Sequence, residues 1–321
     1  VKKFVGIAGI LISIAALYFL AQNIDIEASW QKIKMINPLF IVAAMALYIT
    51  SFYFRALRWQ EMWFNFPTAD FTSIYKAIVV GFAGNNFIPA RGGELLRMEF
   101  FNRRTGIDRI VTLSSIFTEK ILDGISMLFL LLFGIYLVRG ELLEIEWFRS
   151  LSISISLVFG IAIAVLIYIR AYGDRFQMIL SLSNNKIITL IKSVVHKVYG
   201  AIYFMKFDTR TLRIFTYGLL IWLIEAGVFA IIFYAFGITD YIYPMALLCM
   251  CIVNFGILVP SSPAYLGVFQ GMTILALSLF ALPQEKSLSI SLVVHFCQFL
   301  PISLWGIFIL LKSSFYTLKK T

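Results

Sequence analysis

Gly84-Asn85-Asn86-Phe87-Ile88-Pro89-Ala90-Arg91-Gly92-Gly93-Glu94-Leu95-Leu96-Arg97 decides how this chain is read. An apolar run, Ile74 to Phe82, precedes it and is too short to cross a bilayer comfortably. Glycines and a proline then open the backbone, Arg91, Glu94 and Arg97 bring charge, and the chain returns toward Arg103 and Arg104. In lipid, irregular backbone persists only where protein or a water-filled cavity covers it. The stretch is therefore expected to be a re-entrant hairpin with its tip at a polar site inside a membrane protein.

Composition supports that frame. Of 321 residues, 60% are hydrophobic, 16% aromatic and only 14% charged, too apolar for a soluble domain. Several apolar runs reach the 18 or so residues that read as a membrane span. The expected fold is an all-α polytopic membrane protein forming one transmembrane domain over 1–321. In a soluble protein the net charge of +10 would suggest nucleic acid; here the excess of lysine and arginine in cytoplasmic loops explains it. Cys249, Cys251 and Cys297 lie in apolar segments and read as small packing residues, with neither disulfide nor metal spacing.

Outward from the hairpin (about 72–101), spans are expected at about 4–21, 38–57, 110–138, 150–169, 212–236 and 287–311. The first begins after Lys2-Lys3; its apolar core is longer than a signal-peptide core, so it is read as a span. Trp59 and Trp63 read as interface aromatics after the second. Between Arg170 and Arg213, apolar residues recur at helical spacing with Lys192, His196 and Lys197 interleaved, predicting a basic amphipathic cytoplasmic segment.

A second interruption, Val259-Pro260-Ser261-Ser262-Pro263-Ala264-Tyr265-Leu266-Gly267, divides about 241–258 from 268–282. Both interruptions follow an apolar limb and carry Asn-Phe, then proline, then glycine, then Glu94 or Gln270. Paired hairpins entering from opposite sides would give about six spans and an inverted repeat around a midplane site. The alternative is eight spans plus one hairpin. With the N-terminus in the cytoplasm, 21 of the 27 Lys and Arg fall on or near the inner side and five outside, placing both termini inside.

Charge within a span costs roughly 2.5–3.5 kcal/mol, so each such residue is expected to face a partner or water. Glu119 and Asp123 share one helix face four residues apart, with Lys120 about 100° round. They would line a pathway as proton or cation sites, or lock their span to the hairpin through Arg91 or Arg97. The planar forks of Arg91 and Arg97 suit a lipid phosphate, although Arg97 with Glu94 also fits a local i, i+3 pair. Glu225 in the 212–236 span and His295, facing Gln298, are either packing residues or proton carriers.

Asn86 to Arg97, then Glu119-Lys120-Ile121-Leu122-Asp123, then Pro260 to Gln270 resemble the lysylphosphatidylglycerol synthase transmembrane (flippase-like domain) family. They are similar to the membrane half of the multiple peptide resistance factor. The family's Pro-x-x-Gly-x-Glu-x-x-Arg pattern falls on Pro89, Gly92, Glu94 and Arg97, and its Glu-Arg-x-x-Asp pattern on Glu119 and Asp123, with Lys120 in place of arginine. The family commonly has Pro-Gly where this chain has Pro263-Ala264, and often an acid in place of Gln270.

The resemblance implies a lipid-translocating domain in a prokaryotic cytoplasmic membrane. The synthase's aminoacyl-transferase domain has no counterpart in these residues, so no enzyme activity, catalytic residue, metal or cofactor is expected. The substrate would be a membrane phospholipid or polyprenyl-linked lipid. Asn86, Pro89, Arg91, Gly92, Glu94, Arg97, Pro260, Pro263, Gly267 and Gln270 would bind it, and Glu119, Lys120, Asp123, Glu225 and His295 would couple ions or protons. No Walker sequence appears, so a proton or lipid gradient would drive movement. The alternatives are a membrane-embedded enzyme acting on lipid head groups and an accessory protein scaffolding a lipid-modifying enzyme. Homo-oligomerisation stays open, and nucleic acid is not an expected partner.

Overall fold

The computed structural model describes residues 25–88, 91–138, 141–158, 160–161, 164, 168, 209–258 and 263–318. The span expected at 4–21, nearly all of the basic segment at 170–213, and Pro89 and Pro260 lie outside the described residues. What is described is helical, with no strand.

The helices are α1 (Ile26–Lys34), α2 (Pro38–Met62), α3 (Phe71–Phe87), α4 (Gly93–Thr105), α5 (Arg109–Leu137), α6 (Thr209–Ala235), α7 (Ile242–Gly256), α8 (Val268–Ser278) and α9 (Gln284–Leu318). A further helical stretch covers 146–158 and overlaps the span expected at 150–169. Among the described residues four helices, α2, α5, α6 and α9, are long and apolar enough to cross a membrane; α7 and α8 are shorter apolar helices.

Local sequence sets the helix ends. Asn37, Asp70 and Asp108 each turn a side-chain oxygen onto a free amide of the first turn, that of Leu39 at 3.0 Å, Ser73 at 3.3 Å and Ile110 at 2.7 Å. Pro38 adds its preset φ at the first position of α2. Ile88 ends α3 in an extended conformation, as a residue before proline must, since the ring clashes with helical backbone there.

α3 and α4 form an antiparallel hairpin whose limbs meet at glycines. A Cβ on Gly93 would fall 2.1 Å from the Gly81 carbonyl oxygen and 2.3 Å from the Asn85 nitrogen. Backbone cannot yield at such distances, so only hydrogen fits between the limbs. α7 and α8 pack on each other, and the short turn Pro263–Tyr265 between them packs against α3. α2 lies along α6, and α9 crosses α3. The two interruptions are thereby held side by side.

α2 departs from expectation. It runs to Met62 rather than ending near 57, and Trp59 and Trp63, expected at the interface, are 0% and 2% exposed. Trp59, Trp63 and Phe101 form one aromatic cluster with ring centroids 4.7–5.7 Å apart. The hairpin covers this end of α2, so the tryptophans pack against protein.

Candidate functional site

Three arginines and three carboxylates meet inside the bundle, all buried. Arg97 of α4 grips Glu119 of α5 with two parallel hydrogen bonds, Nη1 to Oε1 at 3.1 Å and Nη2 to Oε2 at 2.8 Å. Arg58 of α2 lies 3.4 Å from Glu119 Oε1 and donates to Asp123 Oδ1 at 2.6 Å. Trp222 Nε1 of α6 donates to the same Asp123 oxygen at 3.2 Å. Arg55 of α2 donates to Glu225 of α6. The arginines also lie on rings: Arg97 is 3.8 Å from the Trp59 centroid, and Arg55 is 4.8 Å from that of Phe82 and 5.3 Å from that of Trp222. Ring faces attract cations most when water is excluded.

This network ties the hairpin to α2, α5 and α6. Removing both charges of a buried pair is often tolerated, whereas removing one leaves a bare ion at a cost of about 3–5 kcal/mol.

Beside it lies a cavity of about 160 Å³, large enough for several waters. Both interruptions contribute to it: Asn85, Asn86, Arg91 and Glu94 from the first, and Asn254, Ile257, Leu258 and Tyr265 around the second. Arg55, Lys120, Asp123 and Glu225 face it from the network, and His295 and Gln298 from α9. Arg91 donates from Nη2 to the Ile257 carbonyl at 3.1 Å and joins the two interruptions directly. Asn86 fixes α3 to α9 through the Ser303 hydroxyl at 2.7 Å.

The cavity's charges are unevenly matched. Lys120 lies 3.6 Å from Glu94, Arg55 meets Glu225, and Asp123 meets Arg58. Among the described residues, Arg91 has no carboxylate partner. Four buried polar atoms of lining residues, Arg55 Nε, Asn85 Oδ1, Glu94 Oε1 and Gln298 Nε2, have no hydrogen-bond partner among the described residues, Glu94 Oε1 having only the Lys120 ammonium 3.6 Å away. Orphaned buried polar atoms are uncommon and point to water or a polar ligand.

The tips are left-handed. Arg91 has φ +57°, Ala264 +58° and Tyr265 +57°, and Gly267 follows at +84°. Each non-glycine residue there carries strain of about 1 kcal/mol or more. Ala264 is where the family resemblance leads one to expect glycine, which takes this conformation freely.

Of the predicted substrate-binding residues, Asn86, Arg91 and Glu94 line the cavity. Gly92, Arg97, Pro263, Gly267 and Gln270 are not among its lining residues. Arg97 meets Glu119 rather than Glu94, and Glu94 meets Lys120, so the local i, i+3 pair is not formed. Gln270 holds the second tip, accepting from the Gly267 amide at 2.8 Å and meeting His295 Nδ1 at 3.0 Å. His295 stacks on Phe269 with centroids 4.5 Å apart, so its close partners are Gln270 and Phe269 rather than Gln298. Of the coupling candidates, Lys120, Asp123, Glu225 and His295 line the cavity, while Glu119 lies behind it, clamped by two arginines.

Arg55 and Arg58 belong to the site although neither is among the residues expected there from sequence. Their spacing held a signal: Arg55, Arg58 and Trp59 fall at i, i+3 and i+4 and share one face. That face continues the one carrying Tyr48 and Phe52, which are also buried.

The family model for the lysylphosphatidylglycerol synthase TM region matches residues 6–306. A UPF0104 membrane protein of Methanocaldococcus jannaschii is 26% identical over 164 residues, covering 48% of this chain and 49% of that protein. The match thus spans about half the length of that relative. No solved structure matches the chain. Matched over nearly all of its length, the chain belongs to the lysylphosphatidylglycerol synthase transmembrane family.

Proposed function

We propose that this protein moves an anionic lipid, a phospholipid or a polyprenyl-linked intermediate, between the leaflets of a prokaryotic cytoplasmic membrane. The α3–α4 and α7–α8 pairs act as re-entrant hairpins entering from opposite sides, both termini are cytoplasmic, and the cavity between the tips takes the head group. The acyl or prenyl chains stay in the bilayer.

One observation carries this reading: the cavity joins both interruptions, and the guanidinium of Arg91 stands in it without a carboxylate partner among the described residues. A planar fork already anchored to a backbone carbonyl is suited to a phosphate. Asn85 and Gln298 supply further unpartnered polar atoms for the rest of a head group. Asp123 and Glu225 are the acids poised to pass protons from the same cavity, and Lys120 balances Glu94 until the ligand enters. Glu119 is held by two arginines and does not line the cavity, which disfavours its forming the general acid–base pair of a membrane enzyme with Asp123.

Reconstitution into vesicles with head-group-labelled lipids tests the reading. Wild type is expected to exchange anionic lipid between leaflets far faster than protein-free vesicles, and Arg91→Ala to lose most of that excess. Equal rates for wild type and Arg91→Ala reject it. Appearance of a chemically altered head group would favour an enzyme instead.

A further inference from the structure

A second concave surface lies at the open end of the first hairpin. There α3 and α4 meet the last turns of α9 around a groove of about 940 Å³. None of its lining residues lines the central cavity. Lys76, Arg103, Arg104 and Lys312 surround it against a single carboxylate among the described lining residues, Glu99. Glu99 is already engaged, accepting from Arg103 Nε at 2.8 Å and Arg109 Nε at 2.7 Å. Lys76, Arg104 and Lys312 form no ion pair among the described residues. Arg104 is held in place, donating from Nε to Ser73 Oγ at 3.3 Å and lying over the Phe100 ring.

The floor is aromatic. Trp305 and Phe308 stack at 5.7 Å and remain 49% and 54% exposed. Tryptophan and basic side chains at one depth mark a membrane–water boundary, and clustered cations there attract anionic lipids. A free phosphate would use the cations and leave the aromatic floor bare; a phospholipid uses both.

We infer that this groove binds one anionic phospholipid of the adjoining leaflet, with its phosphate on Lys76, Arg104 and Lys312 and its chains over Trp305 and Phe308. The site rests on the membrane placement proposed above but does not require translocation. It lies one turn from the cavity along α9, since Ile302 lines the cavity and Trp305 the groove. The two are divided where α9 touches α3; a Cβ on Gly306 would fall 2.2 Å from Ala83 Cβ. A lipid parked there stands outside the wall of the proposed pathway.

The test uses the delipidated full chain in detergent, with phosphatidylglycerol and phosphatidylcholine as probes. Native mass spectrometry is expected to show phosphatidylglycerol retained on the order of tenfold better by wild type. K76Q/R104Q/K312Q is expected to lose that preference for one bound lipid. Phosphatidylglycerol brominated in its acyl chains should quench tryptophan fluorescence more than the brominated phosphatidylcholine, with the extra quenching absent in W305F. Equal retention of both lipids by wild type, or extra quenching that persists in W305F, overturns the site. Should the triple variant not fold, the wild-type and W305F quenching decides alone. Extra quenching through Trp305 in a protein that exchanges no lipid would support the groove and reject translocation.

Discussion

The Arg91 guanidinium donates to the Ile257 carbonyl at 3.1 Å, across 166 residues of sequence, and closes one interruption of the chain against the other. The carbonyl belongs to the residue capping the C-terminus of α7, where unpaired backbone oxygens give a negative end to the helix dipole. A cation held by a dipole alone keeps most of its charge available to an incoming anion. Arg91→Ala should therefore cost only about 1–2 kcal/mol of stability while removing most lipid exchange. Unfolding midpoints in detergent, compared with exchange rates, separate the two effects; a collapse of stability in this variant would make Arg91 structural.

Arg55 and Glu225 should behave as a unit. Arg55→Met leaves a buried carboxylate without its partner and is expected to destabilise by about 3–5 kcal/mol. Arg55→Met with Glu225→Leu should return to within about 1 kcal/mol of wild type. Because both residues line the cavity, the double variant is expected to stay inactive in leaflet exchange although stable. Denaturant unfolding of the four proteins of this cycle checks the first claim and vesicle reconstitution the second.

Ala264 is strained at φ +58°. Ala264→Gly relieves that strain but adds freedom to the unfolded chain, so a net gain of roughly 0.5–1 kcal/mol is expected. A fall in the unfolding midpoint would mean that the left-handed turn is not the ground state.

Gly93 allows the hairpin limbs to touch. Gly93→Ala must push α4 off the Gly81 carbonyl and the Asn85 nitrogen, at a cost of at least about 1–3 kcal/mol. Folded yield after membrane extraction should fall sharply, while Gly106→Ala, whose added Cβ meets nothing within 4 Å, should be hindered only by its left-handed backbone.

Glu99 lies near the open end of the hairpin, on none of the four helices long enough to span a membrane. Hydrogen bonds from Arg109 and Arg103 hold its carboxyl down to about 2, below the ordinary 4.5. A depressed carboxylate contributes stability above its unfolded value and loses it as pH falls toward 2. Glu99→Gln should therefore destabilise slightly at neutral pH and draw level with wild type between about pH 4.5 and 2. A constant difference across that window would show that the ion pairs contribute nothing.

The all-helical membrane class, the starts of the helices at 38, 109, 209 and 284 to within three residues, and both interruptions were legible in the sequence, whereas the ends of the first and last of these helices lie about five and seven residues beyond those expected. The legible features are local: hydropathy runs, capping side chains, and proline or glycine where helical backbone must stop. The sequence also singled out Glu119 and Asp123, because charge inside an apolar helix demands a partner. Which partners they have was decided only by tertiary structure. Arg58 reaches Asp123 across 65 residues and Arg55 reaches Glu225 across 170. Nothing in a helix's own sequence says whether an arginine near its end points to water or inward to a carboxylate on another helix. The packing of α2 between the hairpin and α6 settles that, because it removes the water an unpaired charge would need.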